Sequence, residues 1–270
     1  MPNDQIPEGF NTPVPSKILT PDHVDSRIGS LDFVDGVPTA DTAGRVFDHL
    51  DFLSDKDLEL LEGEPADDPV ESIPSIIRET FDFPYTYGLD FVFVLQQGGW
   101  QAVDAAFADP PQSTEQILHP EKYFSRDEPQ VVSMPPLTDT LGSGWRHVDT
   151  ETLGEFQTAV YLAQQIDRAT ADIAAQGWDG DQYALYARDG DDLMAYQSVW
   201  DSSEDRGEFV AAYTRYLEAK YSQLSADTTE GERWWETPAQ TAILTWEDDS
   251  VLIVLGPDRI TVEKALSALR

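Results

Sequence analysis

The side chains able to do chemistry are few in kind. The 270-residue chain holds four histidines, His23, His49, His119 and His147, and no cysteine. A peptidase-type zinc site needs two imidazoles at positions i and i+4 of one helix, with a carboxylate beside the first to activate water. No two of the four histidines have that spacing, although a site assembled through space stays open. Disulfides, thiolate chemistry and cysteine-held zinc are excluded. His119 reads as a residue that caps a helix end or bonds within a loop. His147, close to Arg146 and Asp149, reads as part of a surface polar cluster, and His23 and His49 as solvent-facing.

The carboxylates give no complete motif either. Asp179-Gly180-Asp181 could open a calcium loop, but loop positions 5 and 12 would be Tyr183 and Gly190, where ligating oxygen and Glu are needed. The expectation is a solvated turn before a strand, and the same for Asp189, Asp191 and Asp192. Gly142-Ser143-Gly144 lacks the Lys of a phosphate loop, and no Ser sits in a Gly-x-Ser-x-Gly elbow. Glu62, Glu64 and Glu155 could serve acid–base chemistry only if their surroundings tune them. Trp178, Trp200, Trp234, Trp235 and Trp246 either line a groove or pack in the core. No catalytic, cofactor or metal residue is assigned. Glu62, His119 and Glu155 are the candidates carried forward, and no cofactor is expected.

These side chains must be placed by elements legible in the pattern. Residues 1–22 read as a loose arm. Residues 23–69 read as a small segment with a strand near Leu31 to Val34, a helix capped by Thr39 or Asp41 and carrying Val46, Phe47 and Leu50, a second helix from Ser54 to Leu61, and a linker from Pro65 to Pro69. The main domain spans residues 70–270. Its first part, 70–177, is helical, although the short apolar run Tyr87 to Leu95 suits a helix or a core strand. Ser113 and Gln116 form a capping pair, Gln130 to Ser133 reads as extended, and a long helical region covers Glu151 to Gln176 with Leu153, Phe156, Val160, Ile166 and Ile173 inward. Its second part, 178–270, reads β-β-α-β-β-α. One hairpin turns at Asp189-Gly190 and another at Asp248-Asp249. A helix capped by Ser202 or Ser203 runs to Tyr221 with Phe209, Ala212, Tyr213 and Tyr216 on its core face, and the last helix starts at Pro257 or Asp258. The fold class is α+β: a helical central region, then an antiparallel sheet with helices packed on one face.

Charge sets the solvent. Acidic residues number 51 and basic residues 17, a formal charge of −34. Such a charge pushes a compact state apart, and concentrated salt screens it, the Debye length being about 3 Å at 1 M. A disordered acidic tail would be poor in aromatics, yet this chain has 7 Trp, 10 Tyr and 12 Phe. A folded, soluble, salt-adapted (halophilic) protein is expected. Nucleic acid is excluded as a partner, because phosphate binding needs clustered Lys and Arg; a protein partner stays open. No segment suits a membrane span and no signal peptide is visible, so the default address is the cytoplasm, with surface association if an export signal has been lost.

Two blocks carry a family resemblance. Thr20-Pro21, Ile28-Gly29, Leu31 to Phe33, Asp35 to Thr39 and Val46-Phe47-Asp48 resemble the opening of a widespread prokaryotic domain of unknown function. From about Ile73 onward, Phe83-Pro84-Tyr85, Gly98-Gly99-Trp100, Asp109-Pro110-Pro111, the run Ser113 to Tyr123 and Gly177 to Asp181 resemble an uncharacterised prokaryotic and haloarchaeal group, often surface-associated, related to gluzincin-type zinc peptidases. The resemblance implies a paired-His helix upstream and a Glu in an acidic Gly-containing motif as a further metal ligand. Leu61-Glu62-Gly63-Glu64 is similar to that second motif, which makes Glu62 the one residue carried over. The paired histidines are missing, and losing two ligands abolishes tight zinc binding. The expected function is therefore that of a non-catalytic or truncated peptidase-like remnant. The alternatives are a protein- or ligand-binding module with an aromatic surface, and a noncanonical metal-dependent hydrolase.

Overall fold

The computed structural model describes residues 22–26, 29–34, 37–43, 45, 73–223, 225, 227–229 and 231–270. The chain divides into two compact units, Met1–Pro69 and Val70–Arg270. In the first, β1 (His23–Ser26), β2 (Gly29–Val34) and β3 (Val37–Pro38) form an antiparallel sheet in that order. Thr39 caps the chain after β3 by accepting from the Thr42 amide at 3.3 Å. The buried Thr42 hydroxyl in turn accepts from the Asp32 amide at 2.7 Å. The helix stretch at Val46, Phe47 and Leu50, the Ser54–Leu61 helix, the Pro65–Pro69 linker, His49, Glu62 and Glu64 lie outside the described residues, as do residues 1–21 of the arm.

The second unit opens with helices α1 (Ser75–Asp82), α2 (Tyr87–Gln96), α3 (Trp100–Ala108), α4 (Thr114–Leu118), α5 (Pro120–Ser125) and α6 (Thr138–Leu141). The ambiguous run at Tyr87 is thus a helix. Ser113 caps α4, accepting from the Gln116 amide at 3.2 Å, while the Gln116 side chain turns to the Gln112 amide at 2.8 Å instead of closing the reciprocal bond. Residues 130–133 join no strand.

Next come β4 (Arg146–Glu151), α7 (Gly154–Leu162), α8 (Arg168–Ala175), β5 (Trp178–Arg188), β6 (Asp191–Trp200), α9 (Ser203–Tyr221), β7 (Asp227–Thr229), β8 (Glu232–Glu236), β9 (Thr241–Glu247), β10 (Ser250–Gly256) and α10 (Arg259–Leu269). The long helix expected over 151–176 is two helices. Gly154, at φ +74°, starts the first, and the Asp167 carboxylate caps the second by accepting from the Thr170 amide at 3.0 Å. Ile173, expected inside, is exposed; Ala171, Ala174 and Ala175 are buried in its place.

The seven strands run β4-β5-β6-β10-β9-β8-β7, all antiparallel. Side chains alternate across such a sheet. On one face Tyr196, Trp200, Ile253, Leu244 and Trp235 pack against α7, α8 and α9 through Leu162, Ala171, Phe209, Tyr213 and Leu217. On the other, Ala195, Val254 and Ile243 pack against α10 and the α6 region through Val262, Leu266, Leu137 and Trp145. Helices therefore cover both faces, correcting the one-sided arrangement. The central strand β10 is apolar from Val251 to Leu255 without alternation, as a strand buried on both sides must be. The helical part meets this body at α7, where Phe83 and Phe156 lie 4.4 Å apart between ring centroids.

Candidate functional site

His119 forms the elbow between α4 and α5. Its Nε2 lies 2.9 Å from Glu155 Oε1 on α7. A close approach of the two helices makes this contact. Thr114 Oγ1 accepts from the Phe156 amide at 3.2 Å, and a Cβ on Gly154 would fall 2.7 Å from that same oxygen. Two of the three candidates, 36 residues apart, are thus neighbours. Glu155 is 4% exposed and its Oε2 has no hydrogen-bond partner. Burial pushes its carboxyl up and His119 opposes the rise; the bond to Glu155 raises His119 in return.

A second buried carboxyl lies in the same cluster. Glu115 bonds Lys122 Nζ at 2.7 Å, and burial, opposed by Lys122, pushes it up to about 7. Lys122 also bonds Asp201 and approaches Asp127 at 3.5 Å. Burial alone would lower the Lys122 pKa, but Asp201 and Glu115 outweigh it and hold the ammonium charged. The cluster thus holds two buried carboxyls, each against a basic side chain. Among the described residues, no group of three or more His, Asp or Glu could hold a metal ion, so the zinc that the peptidase resemblance implies does not fit them.

Linkage gives the cluster a measurable sign. Glu115 takes up a proton near pH 7 when folded and near 4.5 otherwise, so the folded state holds more protons between those values. The His119 contribution is complete below its unfolded pKa of 6.5 and is lost as pH rises through its higher folded value. Both make stability fall as pH rises. Thermal melts should drop by a few degrees from pH 5 to 8, and His119→Gln should flatten the upper part of that slope. A melting temperature that climbs over the same range would contradict the assignment.

Asp181 is not in a solvated turn. It sits in β5, 4% exposed, where it accepts from the Leu153 amide at 2.8 Å, the Gly154 amide at 3.0 Å, Trp178 Nε1 at 2.7 Å and, more loosely, the Tyr196 hydroxyl at 3.4 Å. The sheet thereby caps the N-terminus of α7, satisfying its first amides and complementing its dipole. Burial raises the Asp181 pKa and those donors limit the rise.

Beyond that cap lies a pocket of about 190 Å³ between the β5–β6 face, α7 and α9. Tyr161, Tyr183, Tyr196, Phe209 and Tyr213 supply its rings, and Leu153, Leu185, Met194 and Thr158 complete it. The hydroxyls of Thr158 and Tyr213 are buried, the first interacting with Tyr196 and the second with Tyr161. Burial drives Tyr161, Tyr196 and Tyr213 well above the usual tyrosine range, so they stay neutral. Sequence reading placed Phe209 and Tyr213 in the core but missed the cavity. Its signal was the alternation Tyr183, Leu185 and Met194, Tyr196 on paired strands, with Tyr183 opposite Tyr196 and Leu185 opposite Met194.

The remaining candidates separate. His147 is exposed, with Nε2 2.7 Å from Thr150 Oγ1. Trp178, Trp200, Trp234 and Trp235 are core, not a surface groove. The exposed rings lie on the early helices instead, at Phe81, Tyr85, Phe93, Trp100 and Phe107. No described helix is long and apolar enough to cross a membrane.

A family model for a domain of unknown function (DUF8575) matches residues 140–266. The match contains every residue of the pocket, with Glu155 and Asp181, but not Glu115, His119 or Lys122. No curated protein matches the sequence.

Proposed function

We propose that this chain is a non-catalytic, salt-adapted module that binds a small, mainly apolar molecule in the aromatic pocket between the β5–β6 face, α7 and α9. The observation that carries this reading is the cavity itself: about 190 Å³ walled by rings and aliphatic carbon. A cavity of about 150 Å³ with such walls already accepts benzene. Space left without partner atoms forfeits dispersion contacts, and a ligand of matching size restores them. None of the cluster's acid–base groups, His119, Glu115 or Glu155, lines the pocket, which favours binding over turnover. The 2.9 Å contact of His119 with Glu155 favours the noncanonical metal-dependent hydrolase as a second reading; that reading lacks a group of three metal ligands among the described residues. Peptidase-like ancestry rests on the residue blocks quoted above, and with the paired histidines missing it too favours a non-catalytic protein.

Met194 faces the cavity, and Met194→Trp should fill it. Benzene and phenol at saturating concentration should raise the melting temperature of the native protein, since a ligand at a hundredfold its Kd stabilises by about 2.7 kcal/mol. The filled variant should not respond. Equal stabilisation of both proteins would place binding elsewhere and overturn the reading. The salt-adapted part has its own test: lowering the salt from molar to about 0.1 M lengthens the Debye length to about 10 Å, and the −34 charge should then lower the melting temperature. An unchanged or higher value would contradict it.

A further inference from the structure

Carboxylates flank the pocket on the β4 side. Strand β4 runs beside β5 with Asp149 opposite Leu185 and Glu151 opposite Tyr183. Directly opposed residues share a face, so both carboxylates stand on the side of the sheet that carries the pocket's Tyr183 and Leu185. Asp149 and Glu151 are exposed, and among the described residues neither is ion-paired with Lys, Arg or His. Behind the wall, buried Asp181 contacts the Tyr196 hydroxyl at 3.4 Å. No Lys, Arg or His lines the pocket. The field reaches the rings: burial first, then Asp149, Glu151 and Asp181, resist ionisation of Tyr183.

Ring faces are electron-rich, and a cation placed over them is attracted. Five aromatic residues, with two exposed carboxylates on the same face of the neighbouring strand, favour an organic cation over a neutral or anionic guest. The walls present carbon, while the Thr158 and Tyr213 oxygens are shut away. A primary ammonium or an inorganic ion would leave its hydrogen-bonded water behind and find no replacement acceptor. A quaternary ammonium has no N–H to satisfy and exposes methyl groups to the walls. We propose that the pocket binds a quaternary ammonium head group, held among Tyr161, Tyr183, Tyr196, Phe209 and Tyr213 and drawn in by Asp149 and Glu151. The proposal rests on the binding function given above and names its ligand class.

The test is calorimetric titration, at fixed ionic strength, with choline and with its uncharged isostere 3,3-dimethyl-1-butanol. Choline should bind about tenfold more tightly or better, the preference that a desolvated cation–π contact provides. The exposed double variant Asp149→Asn, Glu151→Gln should bring the affinity for choline down toward that for the isostere. Equal or tighter binding of the isostere to the native protein would overturn the quaternary-ammonium assignment while leaving an apolar binding pocket in place. Binding of neither compound, together with no response to benzene or phenol, would overturn both. Choline binding that survives Met194→Trp unchanged would also overturn the proposal, because the cation would then lie outside this cavity.

Discussion

Asp181→Ala should destabilise the protein by about 4–6 kcal/mol, read as a lower denaturation midpoint at unchanged slope. The substitution strands the Leu153 and Gly154 amides and the Trp178 indole N–H, which now share one carboxylate. A buried donor left without an acceptor costs roughly 1–3 kcal/mol, and removing the charge also takes away the partner of the α7 dipole. Domains are stable by only about 5–15 kcal/mol, so much of the population should be unfolded or have α7 undocked. Asp181→Asn keeps one acceptor oxygen and should cost less than alanine. A loss below about 1 kcal/mol for the alanine variant would mean that the cap is not what fixes α7 to the sheet.

Gly180→Ala, one residue earlier, should cost about 2–4 kcal/mol for a different reason. An added Cβ would lie 2.2 Å from the Gln130 carbonyl oxygen and 3.2 Å from Val199 Cγ2. The obstacle is backbone, and it is tied down: the Gln130 amide donates to the Asp179 carbonyl at 2.5 Å and its side-chain amide bonds Asp179 Oδ2. Relief requires pulling the 130 segment off the edge of β5, with loss of those bonds and of packing beneath. Gly190, in the exposed hairpin turn, is the comparison. Its Cβ would meet nothing within 4 Å, and only its φ of +79° opposes alanine, a penalty of roughly 1–2 kcal/mol. Similar losses at the two positions would show that close approach to Gln130 is not the constraint.

The same two residues show where sequence reasoning stops. Asp179-Gly180-Asp181 has the composition of a turn, and composition carries no information about a carboxylate capping a helix that starts 27 residues earlier in the chain. Where local and tertiary demands agreed, the pattern was legible. The hairpins at Asp189-Gly190 and Asp248-Asp249, the α9 core face of Phe209, Ala212, Tyr213 and Tyr216, and the start of the last helix after Pro257-Asp258 all stand in the structure. The unbroken apolar run of β10 already signalled burial on both faces, and weighing it would have placed helices on both sides of the sheet. Strand β4 gave no such signal, because all six of its side chains are exposed and neighbour pairing alone makes it a strand. His119 and Glu155 were legible as residue types, whereas their contact depends on Gly154 letting α4 approach α7. The tryptophans were legible as groove or core, with packing the cheaper reading; burial decides for the core at Trp178, Trp200, Trp234 and Trp235, while Trp246 is partly buried against it.

The central claim, a ligand-accepting cavity at Met194, has a direct reporter. The chain contains three methionines, Met1, Met134 and Met194, so ¹³C-methyl labelling yields a spectrum of three signals. Titration with phenol should move the Met194 methyl resonance progressively, through ring-current change inside the cavity, while those of Met1 and Met134 stay in place. A Met194 signal that does not move at phenol concentrations that raise the melting temperature would contradict the account.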